Sequence, residues 1–360
     1  MITPNYPSWN FIGSKLSMIP WIMNQINELP FTTVLDLFGG TGIVSNEFRF
    51  NQKAVIYNDF LKHLQISAHG LLNASKADLL SSDLINSIFS KKTDKIYNST
   101  LISFLRKYFF DDEVNFILQT YDNILSSKIS KIQQELLLFA LSQSMLKKRP
   151  FHTFHGSFLS MRLKKRNEAQ TWDRNMKETM MESIKEINAF LNFLPDNLHS
   201  VKITGLNASE SKPEMFETES IDLVYVDPPY ISNKKKRTLK FANYVKNYQA
   251  LEILVQQDKI SSFINSRTIE LQQEKFLPVE EMNLWLDQNQ KNWLRSFENI
   301  IANFVDSTIV ISYRSDSLIT KNMITDILGS YKKVKFFATP HLYEKKSKEA
   351  KFEDYLFIAF

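Results

Sequence analysis

In IDLVYVDPPY (221–230), the apolar run LVYV ends on an aspartate, two prolines and a tyrosine. The proline rings fix φ near about −65° and remove backbone donors, so the chain cannot continue as a regular strand. The stretch therefore predicts a buried strand whose tip presents Asp227, the carbonyls of Asp227 and Pro228, and the ring of Tyr230. Two acceptors beside an aromatic ring suit an exocyclic amino group on a flat base. Pro229 would hold the turn still, and Tyr230 would stack on that base.

A second cluster, DLFGGTG at 36–42, gathers Gly39, Gly40 and Gly42, three of only eight glycines in the chain. A strand, close-set glycines and then a helix aim backbone N–H groups at a ligand. The pattern is neither GxGxxG nor GxxxxGK[ST], so neither dinucleotide nor P-loop chemistry is indicated. Asp36, before the glycines, would repel a phosphate and welcome an ammonium group. Asp59 closes the next strand, where an acid accepts hydrogen bonds from ribose hydroxyls. A ligand with a ribose, a positive amine and no phosphate is S-adenosylmethionine. The N-terminal NFIGSK (10–15) adds a turn glycine, Gly13, and a lysine, Lys15, and taken alone it reads as a structural turn.

Composition narrows the classes. At 360 residues the chain can bury a large core and suggests roughly two domains. The net charge of +5 permits a polyanionic partner. More telling, the cations cluster as LKKRP (146–150), RLKKR (162–166), NKKKR (233–237) and KKSK (345–348). With no cysteine, disulfides, thiolate metal sites and cysteine nucleophiles are excluded. No apolar stretch reaches the length of a membrane span and no secretory signal is evident, so a cytoplasmic protein is expected. The pair of histidines in HTFH (152–155) has no acidic cluster beside it, and no metal is expected there.

These residues need elements to hold them. A helical period covers 16–28; TTVLDLF (32–38) reads as a strand, 42–50 as a helix and AVIYNDF (54–60) as a second strand, which is the signal for a parallel sheet. Long amphipathic stretches follow, such as LKHLQISAHGLLNASKADLL, QQELLLFALSQSML and NMKETMMESIKEINAFLNFL. Strands resume at VKITGL (201–206), IDLVYVD, STIVISY (307–313), VKFFAT (334–339) and YLFIAF (355–360), with 231–304 helical and polar. Phe104, Leu105, Tyr108 and Phe109, and likewise Trp285 and Trp293, read as packing residues. The expected fold class is α/β, a Rossmann-like sheet over 1–60 and 200–360, with a mostly helical domain inserted at 61–199.

NFIGSK, DLFGGTG, the acid of YNDF and DPPY occur in an order that resembles the alpha group (Dam-like) of DNA adenine methyltransferases of restriction-modification type. FALSQSMLKKRPFHTFHGSF (139–158), NYVKNYQALEIL (243–254) and VISYRSDSLI (310–319) look like further segments of that group. The resemblance implies methyl transfer from S-adenosylmethionine to the 6-amino group of adenine in double-stranded DNA, after base flipping. It places Phe11, Gly13 and Lys15 at the methionine end of the cofactor. Asp36, Phe38, Gly39, Gly40 and Gly42 would line the cofactor, with Asp59 on its ribose. Asp227 and the Pro228 carbonyl would accept from the amino group. The helical insert becomes the target-recognition domain, and a cognate restriction endonuclease a functional partner.

One departure concerns the strand VKITGL. Group members often carry an acid after it to meet the cofactor's adenine; this chain offers Asn207, with Glu210 beyond. Candidate DNA contacts are Lys148, Arg149, His155, Arg162, Lys164, Lys165 and Arg166 from the segment after the helical stretch. Lys234, Lys235, Lys236 and Arg237 follow the tetrapeptide. Methylating carbon 5 of cytosine needs a thiolate that this chain lacks. The alternatives are amino-methylation of cytosine N4, RNA adenine or a glutamine amide, and a catalytically silent fold that binds DNA.

Overall fold

The computed structural model describes residues 6–7, 11–91, 95–164, 171–230, 244–272, 275, 290–340 and 352–360, with the backbone alone for Lys164 and Thr171. The chain forms two compact units. A sheet unit holds Lys15–Phe60, His199–Tyr244 and Leu277–Phe360; a helical unit holds Met1–Ser14, Leu61–Leu198 and Val245–Phe276.

The described strands are β1 (Thr33–Asp36), β2 (Ala54–Asn58), β3 (Lys202–Thr204), β4 (Leu223–Val226), β5 (Ile264–Asn265), β6 (Glu270–Leu271), β7 (Thr308–Arg314), β8 (Val334–Pro340) and β9 (Glu353–Ala359). Seven of them make one sheet in the order β3-β2-β1-β4-β7-β9-β8. From β3 to β7 neighbours run parallel, while β9 is antiparallel to both β7 and β8. This is the mixed α/β sheet expected from the sequence. β4 is buried throughout, so its LVYV need not alternate apolar with polar residues.

The topology selects one edge of the sheet. From β1 the chain proceeds outward to β2 and then β3, and from β4 it proceeds the other way to β7. The carboxyl ends of β1 and β4 therefore lie side by side where strand order reverses, the place where open α/β sheets bind ligands. Asp36 is level with Tyr225 across that pair, so Asp227 stands just beyond it. At the opposite end of β4, Asp222 accepts from the Thr32 amide (2.8 Å), the Thr32 hydroxyl (2.6 Å) and the Thr33 amide (2.9 Å). One short segment thus carries a stapling acid at one end and a second acid at the ligand edge.

The helix Gln290–Asn303 covers the sheet with Trp293, Phe297, Ile300 and Ile301 in one core with Val224, Val226, Ile309 and Ile311. Trp293 is fully buried and stacks on Phe297 at 4.8 Å, the packing role read from sequence. Trp285 lies outside the described residues.

In the helical unit, the helix Lys131–Lys147 is buried from Glu135 to Leu146 on every side, so it is the hub of the unit. Gly70, on the helix Lys62–Asn73, lets that helix come close, since a Cβ there would meet the Cβ of Glu135 at 2.9 Å. Phe104, Leu105, Tyr108 and Phe109 are all core residues, as read.

The sequence expectation of a single insert at 61–199 meets two additions, because residues 1–14 and 245–276 also belong to the helical unit. Their ties are specific. Phe11 stacks on Tyr248 at 4.3 Å, the Phe154 amide donates to the Asn247 carbonyl, and Lys107 donates to the Ile269 carbonyl. The stretch 231–304 is also not wholly helical, since β5 and β6 form a small antiparallel ribbon within it. Helical periodicity reports a buried face but not which core buries it.

Candidate active site

Three carboxylates gather at the ligand edge of the sheet unit. Asp36 ends β1, is 1% exposed, and accepts from the Ser45 hydroxyl at 2.7 Å. Burial pushes its pKa up to about 7, the charges of Asp227 and Asp59 add to the rise, and the Ser45 hydrogen bond opposes it. Asp59 follows β2, is buried, and accepts from the Gly40 amide at 2.9 Å.

Between them the glycine turn is shaped by its neighbours. A Cβ on Gly39 would lie 2.1 Å from the Tyr57 ring, so no side chain fits. Gly40 and Gly42 take φ of 51° and 74°, the left-handed region that glycine enters freely. The Tyr57 hydroxyl donates to the Gly40 carbonyl at 2.8 Å, and the Gly39 amide donates to the Asn58 carbonyl at 2.8 Å. Phe38 is buried in the sheet core.

Asn58, which the sequence reading passed over, ties three loops together. Its amide donates to the carbonyls of Leu37 and Leu206, both at 3.1 Å, and its oxygen accepts from the Leu206 amide at 2.8 Å. The signal was present in YNDF, where a polar residue occupies a strand position next to the acid. Asn207 folds back on its own turn, accepting from the Ser209 amide and hydroxyl at 2.9 and 2.8 Å. The turn after β3 is thus organised around the Asn207 side chain, whereas Glu210 is exposed.

Asp227 is held on both oxygens. Lys15 Nζ forms an ion pair with Oδ2, and the Tyr230 hydroxyl donates to Oδ1 at 2.8 Å. Pro228 and Pro229 are buried beside it. The Tyr230 ring meets Tyr313 edge-on at 4.9 Å and lies 5.1 Å from Lys15 Nζ and 5.8 Å from the Arg314 guanidinium. Arg314 is itself anchored by Asp316 at 2.7 Å. Burial pushes the Asp227 carboxyl above the ordinary range, while Lys15 and Tyr230 restrain that rise. Lys15, despite its burial, is held above the ordinary lysine range by Asp227.

The structure distributes the other candidates unequally. Phe11 and Gly13 belong to the helical unit, where the Ile12 amide donates to the Tyr248 hydroxyl at 2.8 Å and Gly13 takes a φ of 88°. Lys165, Arg166 and Lys234–Arg237 lie outside the described residues, as does the side chain of Lys164. His155 is exposed, with Nδ1 2.7 Å from the Thr153 hydroxyl. It lines a groove of about 320 Å³ with Lys107, Ser157, Lys246 and Glu270. Lys107 and Lys246 were not singled out in the sequence because neither sits in a basic run. Among the described residues no histidine, cysteine or acid cluster could hold a metal ion, and none of the helices is long and apolar enough to cross a membrane.

Three expected phosphate ligands are interior residues instead. Arg149 is 0% exposed and donates to the carbonyls of Tyr108 (2.6 Å), Thr153 (3.3 Å), Gly156 (2.5 Å) and Ser157 (2.6 Å). It shapes a loop in which Phe151, His152 and Phe158 all adopt positive φ. Arg162 grips Glu113 through both Nη atoms, at 2.9 and 2.5 Å. Lys148 pairs with the same carboxylate at 2.9 Å and donates to the Arg174 carbonyl at 2.6 Å. A basic run on a helix end looks the same whether its heads point outward or cap buried carbonyls, so the sequence could not show that these three are held inside.

Comparison with known proteins agrees with this geometry. Residues 11–302 match the family described as D12 class N6 adenine-specific DNA methyltransferase. The chain is 25% identical over 362 residues to Type II methyltransferase M2.HphI of Haemophilus parahaemolyticus, covering 98% of this chain and 96% of that protein. It is 23% identical to Type II methyltransferase M.CviAII of Paramecium bursaria Chlorella virus 1, with 97% and 98% covered. Identity to Type II methyltransferase M.NlaIII of Neisseria lactamica is 22%, with 92% and 91% covered. Since the matched stretch takes in the glycine turn, both strand-end acids and Asp-Pro-Pro-Tyr, the chain belongs to the D12 class N6 adenine-specific DNA methyltransferases.

Proposed function

We propose that the sheet unit binds S-adenosylmethionine at the glycine turn and presents Asp227 to the 6-amino group of an adenine flipped out of double-stranded DNA. The observation that carries this reading is the placement of Asp36, Asp59 and Asp227 at adjoining strand ends, with Asp227 fixed by Lys15 and Tyr230. The cradle fits the cofactor's chemistry: Gly39 admits no Cβ, and the buried Asp36 carboxyl suits an ammonium group. Asp59 is fixed by the Gly40 amide at the end of β2, the position from which an acid meets ribose hydroxyls.

When bound, the cofactor supplies an electrophilic sulfonium methyl. The protein's part is to accept hydrogens from the adenine amino group at Asp227 and the Pro228 carbonyl. That draws the nitrogen toward tetrahedral geometry and exposes its lone pair. Asp227, as the acceptor of the amino hydrogens, is also the base proposed to take the proton that the methylated nitrogen sheds. Most of the acceleration comes from positioning and preorganised acceptors, and the adenine must leave the duplex to be reached.

We assign recognition of the DNA sequence to the helical unit, whose exposed groove carries Lys107, His155 and Lys246. The type II names of the relatives support a restriction-modification setting with a cognate endonuclease. Incubation with labelled S-adenosylmethionine and unmethylated genomic DNA, followed by digestion to nucleosides, tests the activity. Label is expected in N6-methyldeoxyadenosine; label in cytosine, or only in protein, overturns the reading. Sequencing the modified DNA then gives the target site.

Asp36 adds a pH dependence. A cationic ligand favours the ionised carboxyl, whose ligand-free pKa is about 7. Cofactor affinity should therefore fall by about tenfold per pH unit below that value, with a proton released on binding, and level off above it. Calorimetric titration in buffers of differing ionisation enthalpy reads both effects. An affinity independent of pH across neutrality would remove Asp36 from the ammonium site.

A further inference from the structure

We propose that Lys15 is a positioning residue for the reaction: its ammonium group keeps the Asp227 carboxylate ionised and aims it at the adenine amino group. This rests on the adenine-methylating reading above. It departs from the role that the family resemblance suggests for Lys15, contact with the methionine end of the cofactor.

The geometry favours the acid over the cofactor as its partner. Lys15 is buried and its Nζ is engaged with Asp227 Oδ2 while lying 5.1 Å from the centre of the Tyr230 ring. Tyr230 fills one site on Oδ1. A carboxylate offers about four lone-pair sites, so two contacts orient it and still leave capacity for the base. Both supports come from different parts of the sheet unit, Lys15 from the loop before the helix Ile19–Ile26 and Tyr230 from the turn after β4. The plane of the carboxylate is therefore set from two directions before any base arrives.

Ionisation is the second half of the role. A protonated carboxyl loses acceptor capacity and cannot polarise an amino group. Of the groups facing Asp227, the carboxylates of Asp36 on β1 and Asp354 on β9 oppose its charge, whereas the hydroxyls of Tyr225, Tyr230 and Tyr244 are pushed up and stay neutral, and the Arg314 guanidinium of β7 stands against the Tyr230 ring. Among the described residues, Lys15 is the cation paired with the carboxylate. Burial alone would carry the Asp227 carboxyl further up, and Lys15 is the largest counterweight.

The test compares wild type, Lys15→Met and Lys15→Arg by kcat against pH, with KM for the cofactor measured alongside. In Lys15→Met, kcat should fall by about a hundredfold and the acid limb of the profile should move up by about one pH unit or more. KM for the cofactor should stay within about twofold, and Lys15→Arg should restore the position of the limb. An unmoved acid limb, or a tenfold rise in the cofactor KM with kcat preserved, overturns the proposal.

Infrared difference spectroscopy supplies a readout independent of turnover. The protonated-carboxyl band that Asp227→Asn abolishes should persist to higher pH in Lys15→Met than in wild type; an unchanged titration of that band also overturns the proposal. Should Lys15→Met not fold, Lys15→Gln takes its place in both measurements. Wild-type protein that makes no N6-methyladenine would sink the functional reading instead, and the infrared titration would still decide whether Lys15 governs Asp227.

Discussion

Replacing Asp227 with asparagine should lower the single-turnover rate of adenine methylation by about a thousandfold or more while cofactor affinity changes by less than about threefold. The division follows from position. Asp36, Asp59 and the glycine turn, the cradle proposed for the cofactor, lie at the ends of β1 and β2, whereas Asp227 stands at the tip of β4, tied to Lys15 and Tyr230. Asparagine keeps the shape and one acceptor oxygen but removes the charge that neutralises Lys15 and draws on the amino hydrogens.

Asp227→Ala should be as inactive and less stable, because it strips a buried ammonium group of its carboxylate. Breaking such a pair costs on the order of 3–5 kcal/mol. Rapid-quench turnover of a saturating DNA substrate, with calorimetry for the cofactor, separates the two effects. Loss of cofactor binding in Asp227→Asn would place the carboxylate in the cradle and undo the assignment.

Asp227 and Asp36 were legible in the sequence because each breaks a local rule. An acid at the end of an apolar run is costly unless the end is a site, and closely spaced glycines in a glycine-poor chain mark backbone that has no alternative. β4 could be read from its uninterrupted apolar residues and a parallel sheet from the β-α-β pattern, whereas the strand order that sets β1 beside β4 appears only in the fold. Lys15 could not be assigned a partner in this way. Its distance from Asp227 in sequence is closed only by folding, and a lone lysine after a turn glycine carries no mark of a buried ion pair.

Arg149 shows the opposite failure. LKKRP advertises a solvated, phosphate-seeking face, yet its arginine is fully interior and caps the carbonyls of a loop with three positive-φ residues. The boundaries of the helical unit were hidden for a related reason. The Tyr244–Val255 helix reads as an ordinary helical segment, and contacts made in the fold, such as the stack of Phe11 on Tyr248 and the bond from Phe154 to Asn247, show which core receives it.

Glu113→Ala should destabilise the helical unit by on the order of 3–5 kcal/mol, lowering its thermal midpoint by roughly 10 °C. Glu113 is 6% exposed and is the carboxylate that meets both Arg162 and Lys148. Its removal strands two interior cations at once. Burial pushes the Glu113 carboxyl up, but Arg162 and Lys148 outweigh burial and hold it below the ordinary value. Its folded pKa is thus depressed, so its contribution is present above the unfolded value and is lost as pH falls through the folded one. Wild type should lose this contribution on acidification, and Glu113→Ala should show a flatter acid limb of stability.

Hydrogen exchange in the helices Asp111–Leu125 and Lys131–Lys147 reads the effect where it arises, and cofactor affinity of the sheet unit should be unchanged. A triple replacement, Glu113→Met with Arg162→Leu and Lys148→Met, should recover much of the loss, because a buried ion cluster can often be exchanged for apolar packing. The same variant separates structure from DNA contact. If Arg162 and Lys148 serve only the interior, the salt dependence of DNA binding keeps its slope; two lost phosphate contacts would flatten that slope by about two units.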